Sequence, residues 1–380
     1  MAKERFKKRK WAAFMLLILV FLGLTYYAID RIQYKLNVMD VEEYEPISTL
    51  VVPETKLTKA KYPFIDVHNH QWTMPIQDLD KLVTEMDSLN MGVMVNLSGF
   101  RGKFLEWSLD NVNEKHANRF ILFLNLNFEE LDDEGWPDNA LATLEEAVKQ
   151  GVNGLKIYKG FGLTDKDNDG NRIAVDDPRL DPIWAKCGDL GIPILIHSAE
   201  PASFWKDKDK YNERWLELKQ VPSRYRSAED YPPFEQIITE QHNIFRKHPN
   251  TKFINAHLGW YGNDLGRLGE LMDEFPNMYT EIGAVLAELG RQPRFARDWM
   301  IKYQDRVMFG KDTYRVSEYY TYFRVLETAD EYFDYYRKRH AHWKMYGLDL
   351  PDSVLRKLYY ENAIQVIPNI DASLFPVKEN

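Results

Sequence analysis

The 380-residue sequence has one cysteine, Cys187, and no excess of positive charge beyond its first residues. A single cysteine excludes an intrachain disulfide and any zinc site built from several cysteines. The first 29 residues carry six basic side chains against one acidic side chain, so the formal charge of −9 leaves −14 on the remaining chain. An acidic body argues against a nucleic-acid partner, because binding to a phosphate backbone requires a cationic surface.

One long run lacks charged residues altogether, from Trp11 to Ala28. At about 1.5 Å rise per residue, a helix of this length just spans the hydrocarbon core of a bilayer. A cleaved signal peptide is the competing interpretation, but the bulky Tyr26 and Tyr27 stand where cleavage requires small residues. Because the basic residues precede the run, we expect a single-pass anchor at 11–28, a cytoplasmic tail at 1–10 and an extracytoplasmic body.

The rest of the chain divides into a tether and one large domain. Residues 29–62 mix charges with prolines and lack periodicity, which is typical of a linker. We assign 63–370 to a single domain and 371–380 to a tail. From residue 63 onward, short apolar runs alternate with helical patterns, which indicates a parallel sheet covered by helices.

Eight apolar runs predict eight strands, at 64–68, 92–97, 120–126, 154–158, 192–197, 252–257, 278–281 and 307–309. Eight such units close into a (β/α)8 TIM-like barrel of the α/β class, and its active site lies at the carboxyl ends of the strands. Residues 317–362 predict further helices packed outside the barrel or across its mouth.

Histidines and an aspartate stand at the ends of four predicted strands. His68 and His70 alternate along the first strand, so both side chains point to one face. His197, His257 and Asp312 each follow a later apolar run. We expect these residues to converge on one divalent metal ion, because a catalytic zinc takes about three protein ligands and keeps a position open for water. The alternative is a set of hydrogen-bonded core residues.

Two long loops leave strand ends, at 159–178 and 198–233, where substrate-shaping loops belong. The second loop is rich in aromatic residues and arginine, and we expect it to form part of a pocket wall rather than a plain surface loop. The first loop matches the spacing of an EF-hand calcium site at Asp165, Asp167, Asp169 and Asp176. No helical pattern flanks that spacing, so a solvated turn is the favoured interpretation.

The ordered set of His68-x-His70, His197, His257 and Asp312 resembles the metal site of the amidohydrolase superfamily. It is most similar to the amidohydrolase-2 branch, which includes metal-dependent decarboxylases such as aminocarboxymuconate semialdehyde decarboxylase. The resemblance covers about residues 62–368 and includes Phe309-Gly-Lys-Asp312 and Glu361-Asn-Ala363. It implies a zinc-type ion held by His68, His70, His197 and Asp312, with His257 near the metal-bound water. Lys311 departs from the family, in which a small residue is commoner.

A site of this kind predicts hydrolysis of an amide, ester or lactone bond in a small substrate. Zinc lowers the pKa of bound water, Asp312 accepts the proton, and His257 steers the water or stabilises the developing oxyanion. Non-oxidative decarboxylation is the alternative reaction. A catalytically silent barrel that binds a ligand is a third interpretation, different in class. A homo-oligomer is compatible with the sequence.

Lys156, on the fourth predicted strand, is a candidate contact for the metal or the substrate. A lysine in this place is carboxylated in some amidohydrolases and bridges two metal ions. The ordinary alternative is a lysine that pairs with a carboxylate or binds an anionic substrate. We favour the second interpretation and expect a single metal ion.

Overall fold

The computed structural model describes residues 2–376 and divides into two units, one up to Val51 and one from Val52 onward. The first unit contains helix α1, Ala2–Leu36, whose apolar side chains are exposed. This helix is long and apolar enough to cross a membrane. It continues past the predicted span, so the first part of the predicted tether is helical.

The second unit is a closed barrel of parallel strands. The strands within residues 52–376 are β1 Phe64–Asn69, β2 Met91–Asn96, β3 Phe120–Leu122, β4 Leu155–Ile157, β5 Ile194–Ile196, β6 Phe253–Asn255, β7 Met278–Glu281 and β8 Val307–Met308. They pair in sequence order as two ladders, β1 to β3 and β4 to β8. Parallel bridges from Leu124 to Leu155 and from Asn69 to Asp312 join the ladders. The predicted TIM-like barrel is confirmed, although most strands are shorter than expected.

Helices cover the outside of the barrel. They are α2 Leu79–Leu89, α3 Gly102–Lys115, α4 Trp136–Gln150, α5 Asp181–Asp189, α6 Trp215–Gln220, α7 Phe234–Lys247, α8 Leu265–Glu274, α9 Leu286–Gly290, α10 Pro293–Lys302, α11 Val316–Glu327, α12 Asp352–Arg356 and α13 Asn362–Val366. In α2, the Asp78 carboxylate caps the first turn by accepting from the Lys81 backbone N–H. The buried residues of α2 recur at helical spacing and face the barrel.

The prediction of helices throughout 317–362 is wrong for its middle part. Residues 328–350, all of which the structure describes, form no helix, and Phe333 and Met345 pair as an antiparallel bridge. Phe333 and Tyr335 are buried while Asp334 between them is exposed. This alternation suits extended chain, because successive side chains of a strand point to opposite sides.

The chain joins the barrel before residue 63. The backbone N–H of Thr55 donates to Asp330 Oδ2 at 2.7 Å, and that of Lys61 donates to Glu327 Oε1 at 3.0 Å. At the other end, a short 3₁₀ turn spans Ala372–Leu374 and Phe375 is buried. Residues 377–380 of the predicted tail lie outside the described residues.

An aromatic cluster holds β1 and β8 against the last helices. The fully buried ring of Phe64 lies 4.7 Å from that of Phe309, 5.6 Å from that of Phe323 and 5.9 Å from that of Tyr359, between centroids. Aromatic pairs in such contact contribute beyond the apolar area that they bury. The cluster therefore stabilises the seam where the barrel closes.

We predict that Phe64→Ala lowers the free energy of unfolding by about 3–5 kcal/mol, because it removes these contacts and leaves a cavity. The matched control is Phe295→Ala on α10, where the ring is 52% exposed and the expected change is within about 0.5 kcal/mol. Denaturant unfolding of the purified variants measures both values. Equal effects at the two positions would contradict the assignment of Phe64 to the closing seam.

Candidate metal centre

In both His68 and His70, Nδ1 is engaged by a neighbouring side chain and Nε2 faces Asp312. Nδ1 of the buried His68 lies 2.9 Å from Glu281 Oε1, and Nδ1 of His70 lies 2.8 Å from Ser98 Oγ. His68 Nε2 is buried and has no hydrogen-bond partner within residues 2–376. A carboxylate can only accept, so His68 Nδ1 is the donor and the lone pair is on Nε2. That nitrogen is free to bind a metal ion.

Asp312, which follows β8, brings a carboxylate to these two rings. Its Oδ1 lies 3.7 Å from His68 Nε2 and 3.6 Å from His70 Nε2. The backbone of Asp312 is left-handed, with φ at 79°, and its N–H donates to the His68 carbonyl at 2.6 Å. Burial alone would raise the pKa of Asp312, but the nearby imidazoles, His68 foremost, hold it below its usual value.

The other two histidines contact each other. His257 Nδ1 lies 2.7 Å from the Gly283 carbonyl oxygen, so it donates and leaves the lone pair of His257 on Nε2. His257 Nε2 lies 3.3 Å from His197 Nδ1, which must then be the donor. The remaining lone pair of His197 is on Nε2, a buried atom with no hydrogen-bond partner in the described chain.

The structure therefore brings the predicted residues together. The ligand atoms of His68, His70 and Asp312 lie within 4.8 Å of one another, as do those of His68, His257 and Glu281. His197 joins the group through His257, whose ring centroid is 4.7 Å from that of His68 and 4.4 Å from that of His197. All of them stand at the carboxyl ends of barrel strands, as expected for this fold.

Glu281, the last residue of β7, is a buried carboxylate to which the sequence analysis gave no role. Its Oε1 accepts from His68 Nδ1 and, at 2.7 Å, from the His257 backbone N–H. Its Oε2 accepts from the Gly283 backbone N–H. A Cβ at Gly310 would overlap Oε2, so the glycine leaves room for the carboxylate. The signal was present in the sequence, since Glu281 ends a predicted strand just as the histidines do.

Asp66 is a buried carboxylate that holds the backbone next to the metal-site residues His68 and Asp312. The buried Asp66 carboxylate accepts from the backbone N–H groups of His68 at 3.1 Å and Lys311 at 3.0 Å, and from the Tyr319 hydroxyl at 2.6 Å. Burial raises the pKa of Asp66 to about 6. Lys311 Nζ donates to Glu318 Oε2 at 2.5 Å. The lysine that departs from the family pattern is therefore neutralised away from the metal centre.

Burial is the largest influence on the imidazoles. It lowers the pKa of His68 and of His197 well below the usual value and lowers that of His70 to about 4. Burial penalises the charged form of a group, so these rings are neutral at neutral pH. Neutral imidazole is the form that binds a metal ion.

Lys156 lies on β4 beside these groups. It is 1% exposed, and its Nζ has no hydrogen-bond partner among the described residues. Burial lowers the pKa of Lys156 to about 7. Its Nζ is 5.4 Å from the centroid of the Tyr158 ring, and that ring stacks on His70 at 5.9 Å.

The loop at 198–233 forms a pocket wall, as expected. Lys206, Asn212 and Arg214 line a cavity of about 160 Å³ together with Trp260, whose ring is 4.6 Å from that of His257. Not all of the aromatic residues of the loop serve this wall, because Trp205 packs against Phe234 on α7 at 5.5 Å.

The EF-hand-like spacing folds as a turn stabilised by its own side chains. Asp167 Oδ1 accepts from the backbone N–H groups of Asp169 at 3.1 Å and Asn171 at 2.7 Å. Asp176 accepts from Asn243 Nδ2 at 2.7 Å, and Asp165 accepts from the Thr164 hydroxyl at 3.3 Å. The two bonds to Asp167 are local and typical of an Asx turn, whereas Asp176 is engaged by a residue of α7.

The family model described as Amidohydrolase, from the amidohydrolase-2 group, matches residues 132–368, which is more than half of the chain. The chain belongs to the amidohydrolase-2 family. A search of curated protein sequences gives no match for this amidohydrolase.

Solved structures agree with the fold of this amidohydrolase. One is 2,6-dihydroxybenzoate decarboxylase from Rhizobium, with 16% identity over 80% of this chain and 98% of that protein, at a TM-score of 0.50. Another is dihydroxybenzoic acid decarboxylase from Polaromonas with bound manganese and an inhibitor, with 14% identity over 80% of this chain and 96% of that protein, also at 0.50. At these identities the likeness shows the fold alone.

The donor set of the amidohydrolase fits a divalent metal ion. His68 Nε2 and His197 Nε2 are buried lone-pair nitrogens without hydrogen-bond partners in the described part of the chain. The Asp312 carboxylate and a third imidazole, His70, lie beside them. Nitrogen ligands with one carboxylate suit zinc and similar transition metals.

We predict that Glu281→Gln weakens metal binding roughly 10–100-fold, because outer hydrogen bonds that orient metal-bound histidines have effects of that size. Both Glu281 oxygens, Oε1 and Oε2, accept from N–H groups. A glutamine replaces one of these oxygens with an NH₂ group, which cannot accept. Competition with a chelator of known affinity measures the change. Glu213→Gln is the matched control, because that carboxylate is 45% exposed and pairs with Arg291. An unchanged metal affinity in Glu281→Gln would contradict the role of Glu281.

Proposed function

We propose that this amidohydrolase is a metal-dependent enzyme that holds one divalent ion, zinc in our assignment, with His68, His70, His197 and Asp312. The observation that carries the proposal is the pair of buried Nε2 atoms of His68 and His197, which have no hydrogen-bond partner within residues 2–376. Unpaired buried polar atoms cost stability unless a ligand completes them. The Asp312 carboxylate, within 3.7 Å of both rings of the first strand, balances the charge of such an ion.

When bound, the ion supplies Lewis acidity that polarises a substrate oxygen and activates water. Asp312 stands ready to accept a proton, because its carboxylate is ionised and its side chain is 33% exposed at the mouth. His257, with Nδ1 protonated toward Gly283, can accept at Nε2 but cannot donate there. We therefore assign His257 the orientation of His197. Of the two roles expected from the sequence, a lone pair on Nε2 suits steering of the water better than stabilisation of the oxyanion.

Our first reaction class is hydrolysis of an amide, ester or lactone bond in a small molecule. The second is non-oxidative decarboxylation, which the fold likeness to two dihydroxybenzoate decarboxylases supports. Lys156 favours it specifically, since a buried amine without a hydrogen-bond partner in residues 2–376 can pair with a substrate that carries a carboxylate. Two assays separate the classes: one measures carbon dioxide release from aromatic acids, and the other measures hydrolysis of esters and lactones.

We predict that Asp312→Asn slows whichever reaction is found by roughly 10²–10⁴-fold, because the variant loses the proton acceptor. The matched control is Asp349→Asn, since Asp349 also has a left-handed backbone, with φ at 47°, but its side chain is 65% exposed. Turnover and metal content are measured on the same samples. A near-normal rate in Asp312→Asn would place the base elsewhere, and a wild-type chain without stoichiometric metal would favour the silent barrel.

We also propose that α1 anchors the enzyme in a membrane, with the N-terminus in the cytoplasm and the barrel outside it. The support is the exposed apolar surface of α1 and the basic residues that precede Trp11.

We predict that protease digests the barrel in cells whose outer barrier has been permeabilised, while a cytoplasmic marker protein stays intact. The barrel should remain in the membrane fraction at high salt and leave it only in detergent, because apolar insertion is insensitive to salt. Full protection of the barrel while the inner membrane is intact would reverse the proposed orientation. Release by salt would exclude the anchor.

A further inference from the structure

Large apolar side chains are exposed on one side of the barrel mouth, in the segments that follow β1 and β2. Trp72 is 54% exposed, Ile76 86% and Trp107 56%. The Trp72 ring lies 5.6 Å from that of Phe100, which lies 4.5 Å from that of Phe104, between centroids. We call these five residues the rim patch. Contiguous apolar surface of this kind marks a binding site more often than chance exposure does.

Helix α3 joins the two halves of the rim patch. Asn111 Nδ2 donates to two carbonyl oxygens of the short turn that contains Ile76, at 2.7 and 3.1 Å. Trp107 lies one helical turn before Asn111, and Phe104 lies three residues before Trp107, so all three share one face of α3. Ile76 therefore lies beside that face, and the patch is one continuous surface.

The loop that carries Phe100 is held in a strained conformation. The backbone of Phe100 is left-handed, with φ at 58°, which is unfavourable for a residue with a bulky side chain. Its N–H donates to Asn125 Oδ1 at 2.8 Å, and its carbonyl oxygen accepts from the Asn125 backbone N–H at 2.9 Å. Strain that is held in place in this way clusters at binding and active sites, which supports a binding role for the rim patch.

Two cations flank the rim patch, although the barrel as a whole is acidic. Arg101 and Lys103 are exposed at the start of α3, and no ion pair within residues 2–376 engages either side chain. Indole and phenyl rings favour the headgroup level of a bilayer, and cations beside them pair with the phosphates of anionic lipids. The composition of the patch therefore matches a lipid surface.

The acidic side chains around the rim patch do not cancel its positive charge. Asp78 caps α2, and Asp80 pairs with a lysine and a histidine at the far end of α3. On α3 itself, Glu106 and Asp110 lie about 140° and 100° around the helix from Asn111, at 3.6 residues per turn. The unpaired charge next to the patch is therefore that of the two cations.

The same charge argues against a second copy of the chain as the occupant. In a two-fold contact the same patch lies on both sides, so Arg101 and Lys103 would meet their own counterparts. Anionic headgroups instead neutralise these side chains. A lipid surface is therefore the occupant that the charges favour.

We propose that the rim patch docks on a bilayer that contains anionic lipids, with its aromatic rings among the headgroups and with Arg101 and Lys103 paired with lipid phosphates. The inference rests on the proposed membrane anchor, because the anchor keeps the barrel near a bilayer and makes a weak contact intramolecular. The Trp72 ring stacks on His70 at 5.3 Å between centroids. Docking therefore brings the mouth of the barrel and the metal centre to the lipid surface.

The test uses nitroxide labels on the full chain, reconstituted in vesicles. The single native cysteine, Cys187, is buried, and burial raises the pKa of its thiol above the usual value, so an introduced surface cysteine takes the label. Ile76→Cys places the label on the rim patch, and Trp107→Cys is a second position there. Ala117→Cys is the matched control, because Ala117 is exposed just beyond the opposite end of α3.

Two relaxation agents report where each label lies: oxygen, which concentrates in lipid, and a nickel chelate, which stays in water. Vesicles of phosphatidylcholine are compared with vesicles that also contain phosphatidylglycerol. We expect the labels at positions 76 and 107 to become accessible to oxygen and protected from nickel in the anionic vesicles, and much less so in the neutral ones. The label at position 117 should stay accessible to nickel in both.

Charge variants test the role of the cations in the same assay. Arg101→Gln combined with Lys103→Gln should lower the equilibrium constant for docking roughly 25-fold, because each cation near anionic lipid contributes about a factor of five. Lys59→Gln combined with Lys149→Gln is the matched control. It removes two exposed cations at the opposite end of the barrel, one before β1 and one in the last turn of α4, and should leave docking unchanged.

The proposal is overturned if the labels on the rim patch stay accessible to nickel in anionic vesicles, if the label at position 117 enters the lipid as well, or if loss of Arg101 and Lys103 leaves docking unchanged. Equal docking on neutral vesicles would also overturn it. Spin–spin broadening between labels at position 76 of two chains would do the same, because a second copy would then cover the patch. Failure of the anchor is read separately, as a chain that salt removes from the vesicles.

Discussion

The buried carboxylate of Glu281 is the interaction on which the rest of the site depends. It accepts from the His68 ring on β1 and from the backbone N–H of His257 after β6, so it ties together strands that are distant in sequence. A buried carboxylate is tolerated only when N–H donors surround it. Here the donors are His68, His257 and Gly283. Because the Glu281 carboxylate must be surrounded by these N–H groups, it fixes the positions of the two histidines.

That carboxylate and the Gly283 carbonyl oxygen also decide which nitrogen of each ring is free. His68 and His257 donate through Nδ1, and His197 then donates to His257. Lone pairs remain on the buried Nε2 atoms of His68 and His197, and burial keeps these rings neutral. The chain therefore folds with buried nitrogens that lack partners in the described residues, and metal binding and folding stability are coupled.

Much of this arrangement could be predicted from the sequence, because buried parallel strands appear as apolar runs and place the next polar residue at one end of the barrel. His68, His70, His197, His257 and Asp312 were found in this way. The hydrogen bond between His197 and His257 could not be predicted, since it depends on how neighbouring strands align. Glu281 also ends a predicted strand, but its role could not be predicted, because it depends on the His68 ring and the His257 backbone N–H that the closed barrel brings to it. The prediction of helix at 328–350 is wrong because the local pattern does not show the contacts that fix this irregular segment, such as the bridge between Phe333 and Met345.

The most direct test is an anomalous difference map from crystals of the full chain, collected on both sides of the absorption edge of the metal found by elemental analysis. Our account predicts one strong peak per chain, in contact with Nε2 of His68, His70 and His197 and with the Asp312 carboxylate. A map without a peak at these atoms, or with its only peak elsewhere in the chain, would contradict it.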